Sequence, residues 1–184
     1  HHTNWNPPQG FQRRRWDLEG LLGDEPLWGR FWEAEPLTGA QKELFGAARD
    51  ILYRELSGLS TEPDRFGLIH SDLHLGNLMV DGDDLTVIDF DDAGFGWFSH
   101  ELACALHPGI GEPWFVEAEA AIIEGYSSVH PISQDEIESI NTFLAVRSLM
   151  IVGWLTARPE LPAYTYFPLV VAGAEAVADA LIKH

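Results

Sequence analysis

The stretch His70-Ser71-Asp72-Leu73-His74-Leu75-Gly76-Asn77, followed by LMV, DGDD, LTVI and Asp89-Phe90-Asp91-Asp92, carries most of the polar chemistry of this chain. Asn77–Val80 and Leu85–Phe90 are short apolar runs on either side of Asp81–Asp84, a turn-type sequence, so residues 77–89 read as a β-hairpin. If Val80 pairs with Leu85, Asn77 lies opposite Ile88, beside Asp89. At about 3.3 Å per strand residue, both arrive at the open end of the hairpin. Asp72 enters that end from the preceding loop. An ideal register points Asn77 and Asp89 to opposite faces, so pairing has to end or bulge there for the two to meet.

An Asn oxygen and carboxylates suit a hard cation such as Mg2+, which takes few protein ligands and keeps phosphate oxygens and waters. A carboxylate not bound to metal can hold a hydroxyl in line and accept its proton. Phosphoryl transfer is mostly positioning plus charge neutralisation, so these few groups suffice for the acceptor half of a kinase site. A hydrolytic alternative uses His70, Asp72, His74 and Asp89 as zinc ligands, with 70, 72 and 74 on one side of an extended strand. The HExxH helix motif is missing from the sequence, and this alternative leaves Asn77 and Phe90 without a role.

On the N-terminal side, Leu44, Phe45, Ala48, Ile51, Leu52 and Leu56 form one apolar face at helical spacing, which Ser57-Gly58 stops. Phe66–His70 is a further short apolar run. Beyond Trp97 the pattern predicts helices over about 99–107, 113–129, 134–157 and 168–183, with Ser133 and Glu136 at capping-box spacing. Residues 1–37, rich in Trp, Pro and Gly, read as an irregular arm with one short helix near 17–22. The arm packs on a lobe of residues 38–184 whose catalytic and metal-binding hairpin spans 68–92. The Arg13-Arg14-Arg15 run is either an anion site or, more commonly for such a run, a solvated or salt-bridged face. The fold class is α+β, mostly helical.

The chain has 184 residues, 46% apolar and 22% charged, with 29 Asp and Glu against 11 Lys and Arg and a net charge of −18. That is the composition of one ordinary globular domain. The charge argues against nucleic acid or an anionic membrane as a partner, since both need clustered cations. The single cysteine, Cys104, excludes an intramolecular disulfide and a multi-cysteine zinc site; it reads as a core residue in a reducing, cytoplasmic setting. HHTNWNPPQGF has no apolar signal-peptide core, and His1 and His2 carry no functional weight. Phe143 to Thr156 is short of a membrane span and contains Arg147, so it reads as a buried helix. The tryptophans, Trp5 to Trp154, read as packing residues rather than stacking platforms.

His70-x-Asp72-x-x-x-x-Asn77 has the spacing of the kinase catalytic loop, and Asp89-Phe90 sits where kinases carry their metal-binding Asp-Phe pair. The wording HSDLHLGN plus IDFDD resembles the aminoglycoside phosphotransferase and choline kinase superfamily, small-molecule kinases with a protein-kinase-like fold. The likeness covers residues 38–184, with sharp motifs in 68–103. It implies Asp72 as the catalytic base, with Asn77 and Asp89 holding Mg2+ against the phosphates of ATP or GTP. It implies that His70 braces the loop and places His74 where protein kinases have a lysine reaching the transferred phosphate. Asp91 stands where protein kinases have glycine; it would add to the metal site or contact a cationic acceptor. His100–Leu106 resembles the family's Asp-Leu-Ala helix start, with Glu101 one methylene longer than the usual Asp.

Kinases of this kind also need a Gly-rich cover over the phosphates and a strand lysine. No G-x-G-x-x-G precedes residue 60, Lys42 lies in the amphipathic helix, and Lys183 is the penultimate residue. The resemblance therefore implies a C-terminal lobe only, with the N-terminal lobe absent from the chain and little or no turnover from these residues alone. The implied reaction moves a γ-phosphoryl group to a hydroxyl of a small molecule: an amino sugar, a choline-like amino alcohol or homoserine; a cationic acceptor fits the surplus of carboxylates. A non-catalytic, pseudokinase-like binding lobe is the alternative.

Overall fold

In the computed structural model, which describes residues 8–183, the strands form two separate sheets. His1, His2 and Trp5 lie outside the described residues. The first sheet has the order β1-β5-β2: β1 (Arg14–Trp16) runs parallel to β5 (Gly94–Trp97), which is antiparallel to β2 (Phe66–Ile69). Gly94 and Gly96 make this assembly possible. A Cβ on Gly94 would lie 2.5 Å from the Arg14 carbonyl oxygen, and one on Gly96 would lie 2.6 Å from the Ile69 side chain. The second sheet is a hairpin of β3 (Leu78–Asp81) and β4 (Asp84–Val87), with Val80 opposite Leu85 as the apolar pattern predicts. Its two-residue loop starts at Gly82 with φ +60°, the conformation that a Gly-X hairpin turn requires.

The chain divides into two compact units. One comprises the residues up to Asp17 together with Ser60–Leu144. It contains both sheets, α3 (Phe98–Leu106), α4 (Phe115–Ser127) and the first half of α5 (Gln134–Thr156). Its core is aromatic: the Trp97 ring lies edge-on to Phe66 at 5.4 Å and tilted on Phe143 at 5.6 Å. Glu136 reaches back to the Ser133 amide at 3.0 Å, so the predicted capping spacing does open α5. The neighbouring Asp135 carboxylate pairs with Arg65 at the start of β2.

The other unit comprises Leu18–Leu59 and the residues from Ala145 on, and it is all helical: α1 (Leu18–Leu22), α2 (Gly39–Ser57), the rest of α5, and α6 (Phe167–Lys183). A reciprocal Thr38–Gln41 capping box starts α2. Phe31, Phe45, Leu52 and Leu149 are fully buried in this unit's core. Arg147, the charge inside the apolar stretch, is only 6% exposed; its guanidinium lies 4.5 Å from the Trp28 ring centroid, a cation–π contact. Gly153 lets α5 approach the Trp28-Gly29 turn, where a Cβ would meet the Trp28 carbonyl oxygen at 2.7 Å.

The helices read from periodicity are present, with ends moved by two residues or fewer. Residues 8–37 carry more structure than an irregular arm, since they supply β1, α1 and a 3₁₀ turn at Phe31–Glu33. The chain passes between the two compact units after Asp17, Leu59 and Leu144. Strand β1 has three residues and no alternation, so only its partner β5 defines it. Trp16, Trp28 and Trp97 are buried, whereas Trp114 is 43% exposed. Gln134–Thr156 and Pro162–Lys183 are long and apolar enough to cross a membrane. In the first, 67% of the apolar window is buried inside the protein, as in a core helix; in the second, 22% is.

The Arg65 hydrogen bond, aided by Ser133, lowers the Asp135 carboxyl from 3.8 to about 2. A carboxylate depressed by folding adds stability that is present above its ordinary range and lost as pH falls through the folded value. Asp135→Asn should therefore melt below wild type near about pH 6, with the gap closing by about pH 2. A gap that stays constant across that range in melts followed by circular dichroism contradicts this assignment.

Candidate active site

Glu101, in the first turn of α3, accepts two backbone hydrogen bonds from the end of β2. Its Oε1 takes the His70 N–H and its Oε2 the Ser71 N–H, each at 2.7 Å. Both bonds are charge-assisted, the stronger class of hydrogen bond. They hold Ser71 at φ +68°, a left-handed conformation that costs a non-glycine residue roughly 1–2 kcal/mol. From α3, the buried Cys104 thiol donates to the Ser71 carbonyl at 3.2 Å. The kink at Ser71 ends the strand and turns Asp72 into the loop. Glu101 thus does the bracing with its longer side chain.

His70 is 5% exposed and ties this loop to the hairpin. Its Nε2 lies 2.9 Å from the Ile88 carbonyl oxygen, and its Nδ1 accepts the Asp72 N–H at 3.3 Å. These partners assign the neutral Nε2–H tautomer. The ring also rests against Phe90, with centroids 4.7 Å apart. With both nitrogens engaged, His70 cannot serve as a zinc ligand. Among the described residues no three His, Cys, Asp or Glu side chains form a metal cluster, so the zinc-hydrolase alternative loses its ligand set.

Asp72 and Asn77 meet directly. Asn77 Nδ2 donates to the Asp72 carbonyl at 2.9 Å and approaches Asp72 Oδ2 at 3.4 Å. With Nδ2 committed, Oδ1 is the Asn77 atom that can bind a cation. The Asp72 side chain is a quarter exposed, and His74 Nε2 lies 3.6 Å from its Oδ2. His74 is oriented from behind: the Gly76 N–H donates to Nδ1 at 3.0 Å, which leaves the hydrogen on Nε2. That approach needs glycine, because a Cβ on Gly76 would lie 2.7 Å from His74 Cε1.

Asp89 arrives by the backbone. The Ile88 N–H bonds to the Asn77 carbonyl at 3.0 Å, one step beyond the β3–β4 ladder. Asp89 then adopts φ +65° and leaves the strand. This is the break that the alternation of faces demands. The Asp89 side chain is exposed. The Asp91 side chain is exposed too, and its carbonyl takes Arg13 at 3.4 Å. The structure thus brings Asp72, His74 and Asn77 into contact, sets His70 behind them and puts Asp89 at the hairpin's end. It shows no hydrogen bond from the Asp91 side chain to the others. An amide oxygen with a carboxylate from Asp89 fits the sparse, all-oxygen protein contribution that Mg2+ takes.

Sequence reading misses Cys104 and Gly76 as parts of this site. A Gly two residues after a loop histidine is the only available hint of the second; nothing in the sequence marks the first. Glu101→Ala should strand the two amides it caps and cost roughly 2–4 kcal/mol in denaturant unfolding; a loss under about 1 kcal/mol contradicts the clamp. Gly76→Ala should displace the His74 ring, seen as a change in its nitrogen chemical shifts away from the Nε2–H pattern. Unchanged shifts contradict the packing described.

The sequence has known relatives. The profile of the phosphotransferase enzyme family matches residues 2–136. Amicoumacin kinase of Bacillus subtilis (strain 168) is 30% identical over 154 residues, 79% of this chain and 43% of that protein. Homoserine kinase of Rhizobium rhizogenes (strain K84 / ATCC BAA-868) is 31% identical over 166 residues, 80% of this chain and 48% of that protein. A solved microcompartment-associated aminopropanol kinase superposes with a TM-score of 0.84 at 34% identity, covering 97% of this chain and 57% of that one. The amicoumacin kinase hAmiN, solved with AMP-PNP, Ca2+ and Ami, shares the fold at a TM-score of 0.71 and 21% identity. The chain spans about half the length of the curated relatives it matches. It belongs to the phosphotransferase enzyme family.

Proposed function

We propose that this chain is the C-terminal lobe, bearing the metal and acceptor groups, of an ATP- or GTP-dependent kinase that phosphorylates a hydroxyl of a small molecule. The observation that carries this reading is the Asp72–Asn77 contact, with the Asn77 carbonyl bonded to Ile88 beside Asp89. One loop thereby offers a partly exposed carboxylate and, next to it, oxygen donors for a cation. Asp72 holds the acceptor hydroxyl and takes its proton as the oxygen bonds to the γ-phosphorus and the bond to the β-phosphate breaks. Asn77 and Asp89 hold Mg2+, with Asp91 near enough in sequence to add an oxygen. When bound, the ion neutralises charge on the nucleotide's phosphates. His74 directs its Nε2–H toward the space beside Asp72, where the transferred phosphoryl group would pass.

The Gly-rich cover and strand lysine of such kinases have no counterpart among these 184 residues. On this reading they come from another part of the protein, and the present residues alone turn over little. Homoserine and aminopropanol, named for two relatives, each carry both an amine and a hydroxyl, and this chain's net charge of −18 favours an acceptor that presents an ammonium group. An ATP-using enzyme whose one cysteine is buried and outside any disulfide suits the cytoplasm.

In the protein as its cell makes it, Asp72→Asn should lower phosphoryl transfer at least about a hundredfold while leaving AMP-PNP affinity within about threefold. Asp89→Ala should instead weaken Mg2+-dependent nucleotide binding by roughly tenfold or more. ADP release measured over a panel of amino alcohols and amino sugars decides. Near-normal turnover by Asp72→Asn refutes the catalytic assignment. Absence of turnover in wild type, with nucleotide still bound, favours the pseudokinase-like binding lobe.

A further inference from the structure

The guanidinium groups of the Arg13-Arg14-Arg15 run are committed within the protein, and two of them face the segment that follows Asp89. Arg14 Nη1 meets Asp92 Oδ1 at 2.5 Å. Arg13 Nη1 reaches the carbonyl oxygens of Phe90 and Asp91, each at 3.4 Å. Trp16, 1% exposed, donates its Nε1–H to the Asp92 carbonyl at 2.8 Å. Phe90, Asp91 and Asp92, the three residues after Asp89, therefore each accept a hydrogen bond from Arg13 or β1. Arg15 turns away, pairing with Asp17 at 2.8 Å and lying over the Phe66 ring.

Strand β1 is only three residues long and sits at the edge of its sheet, a place where short strands are held weakly. Its seat is prepared, since Gly94 leaves room for the Arg14 carbonyl oxygen, which a Cβ at that position would meet at 2.5 Å. The segment it grips directly follows the left-handed Asp89, a conformation that persists only where its surroundings impose it. Upstream, His70 grips Ile88; downstream, the Ala93 N–H closes the turn onto the Phe90 carbonyl at 3.1 Å.

We propose that Arg14 and Trp16 are positioning residues for the divalent cation: by fastening residues 90–92 to β1 they hold Asp89 in place at the hairpin's open end. The proposal rests on the reading of Asp89 as a metal ligand given above. The competing view is that Trp16 only fills the core and that the exposed Arg14–Asp92 pair contributes little. Trp16→Phe separates the two, because it keeps an aromatic ring and removes the Nε1–H donor. Arg14→Gln removes the charge at the surface.

The test is amide hydrogen exchange together with Mn2+ titration in the presence of AMP-PNP, on the protein as its cell makes it. Both variants should speed exchange at the Ala93 amide and its neighbours about tenfold while β2 amides keep their protection. Both should raise the Mn2+ half-saturation roughly three- to tenfold, with turnover at saturating metal within about twofold of wild type. Exchange within about twofold of wild type in both variants overturns the fastening. Faster exchange with unchanged half-saturation overturns the positioning role and leaves β1 purely structural. A wild-type protein that takes up no Mn2+ removes the metal reading of Asp89 itself, a failure distinct from the other two.

Discussion

The two hydrogen bonds from the His70 and Ser71 amides to Glu101 are the constraint on which the site depends. Left free, Ser71 would continue β2 in extended conformation and Asp72 would follow the strand. The carboxylate converts that strand end into a left-handed turn by satisfying two adjacent donors at once. A carboxylate in the first turn of α3 is also favoured there by the helix dipole, so one side chain serves the helix start and the loop together. The extra methylene of glutamate does not prevent the clamp.

From that turn a continuous path of contacts leads to the proposed metal ligands. His70 bonds to Ile88, Ile88 bonds to Asn77, and Asn77 bonds to Asp72. The tautomer of each loop histidine is set by a backbone partner: His70 between Ile88 and Asp72, His74 by Gly76. Asp89 lies one residue beyond Ile88, and the residues after it are gripped from β1. The site is thus held by backbone hydrogen bonds on all sides while Asp72, His74 and Asp89 stay open to ligands. Such an arrangement suits a reaction in which positioning and charge neutralisation supply most of the rate.

Much of this was readable in the sequence because alternation and turn chemistry are local. The Val80–Leu85 register and the helices after Trp97 follow from patterns a few residues long, whereas alternation gives the break at Asp89 only as a condition for Asn77 and Asp89 to meet. The Asp72–Asn77 pairing was legible through motif spacing. What was not legible depends on close approach between distant segments. Gly94 and Gly96 carry no signal of their own in the sequence, yet they admit β1 and β2 to their sheet, and β1 itself has no pattern apart from that pairing. Cys104 reads as a core residue and is one, but its thiol also meets the Ser71 carbonyl. For Arg13 and Arg14, composition alone left open whether they bind an anion; both engage residues 90–92.

The central claim is that Asn77 and Asp89 share one divalent cation beside Asp72. A crystal structure of the protein with Mg2+ and AMP-PNP tests it most directly. The account predicts Asn77 Oδ1 and an Asp89 carboxylate oxygen each at about 2.1 Å from the same ion, with Asp72 facing the γ-phosphate but outside the coordination sphere. An ion held instead by His70, His74 or Asp72, or one that leaves Asn77 and Asp89 without a metal contact, would contradict it.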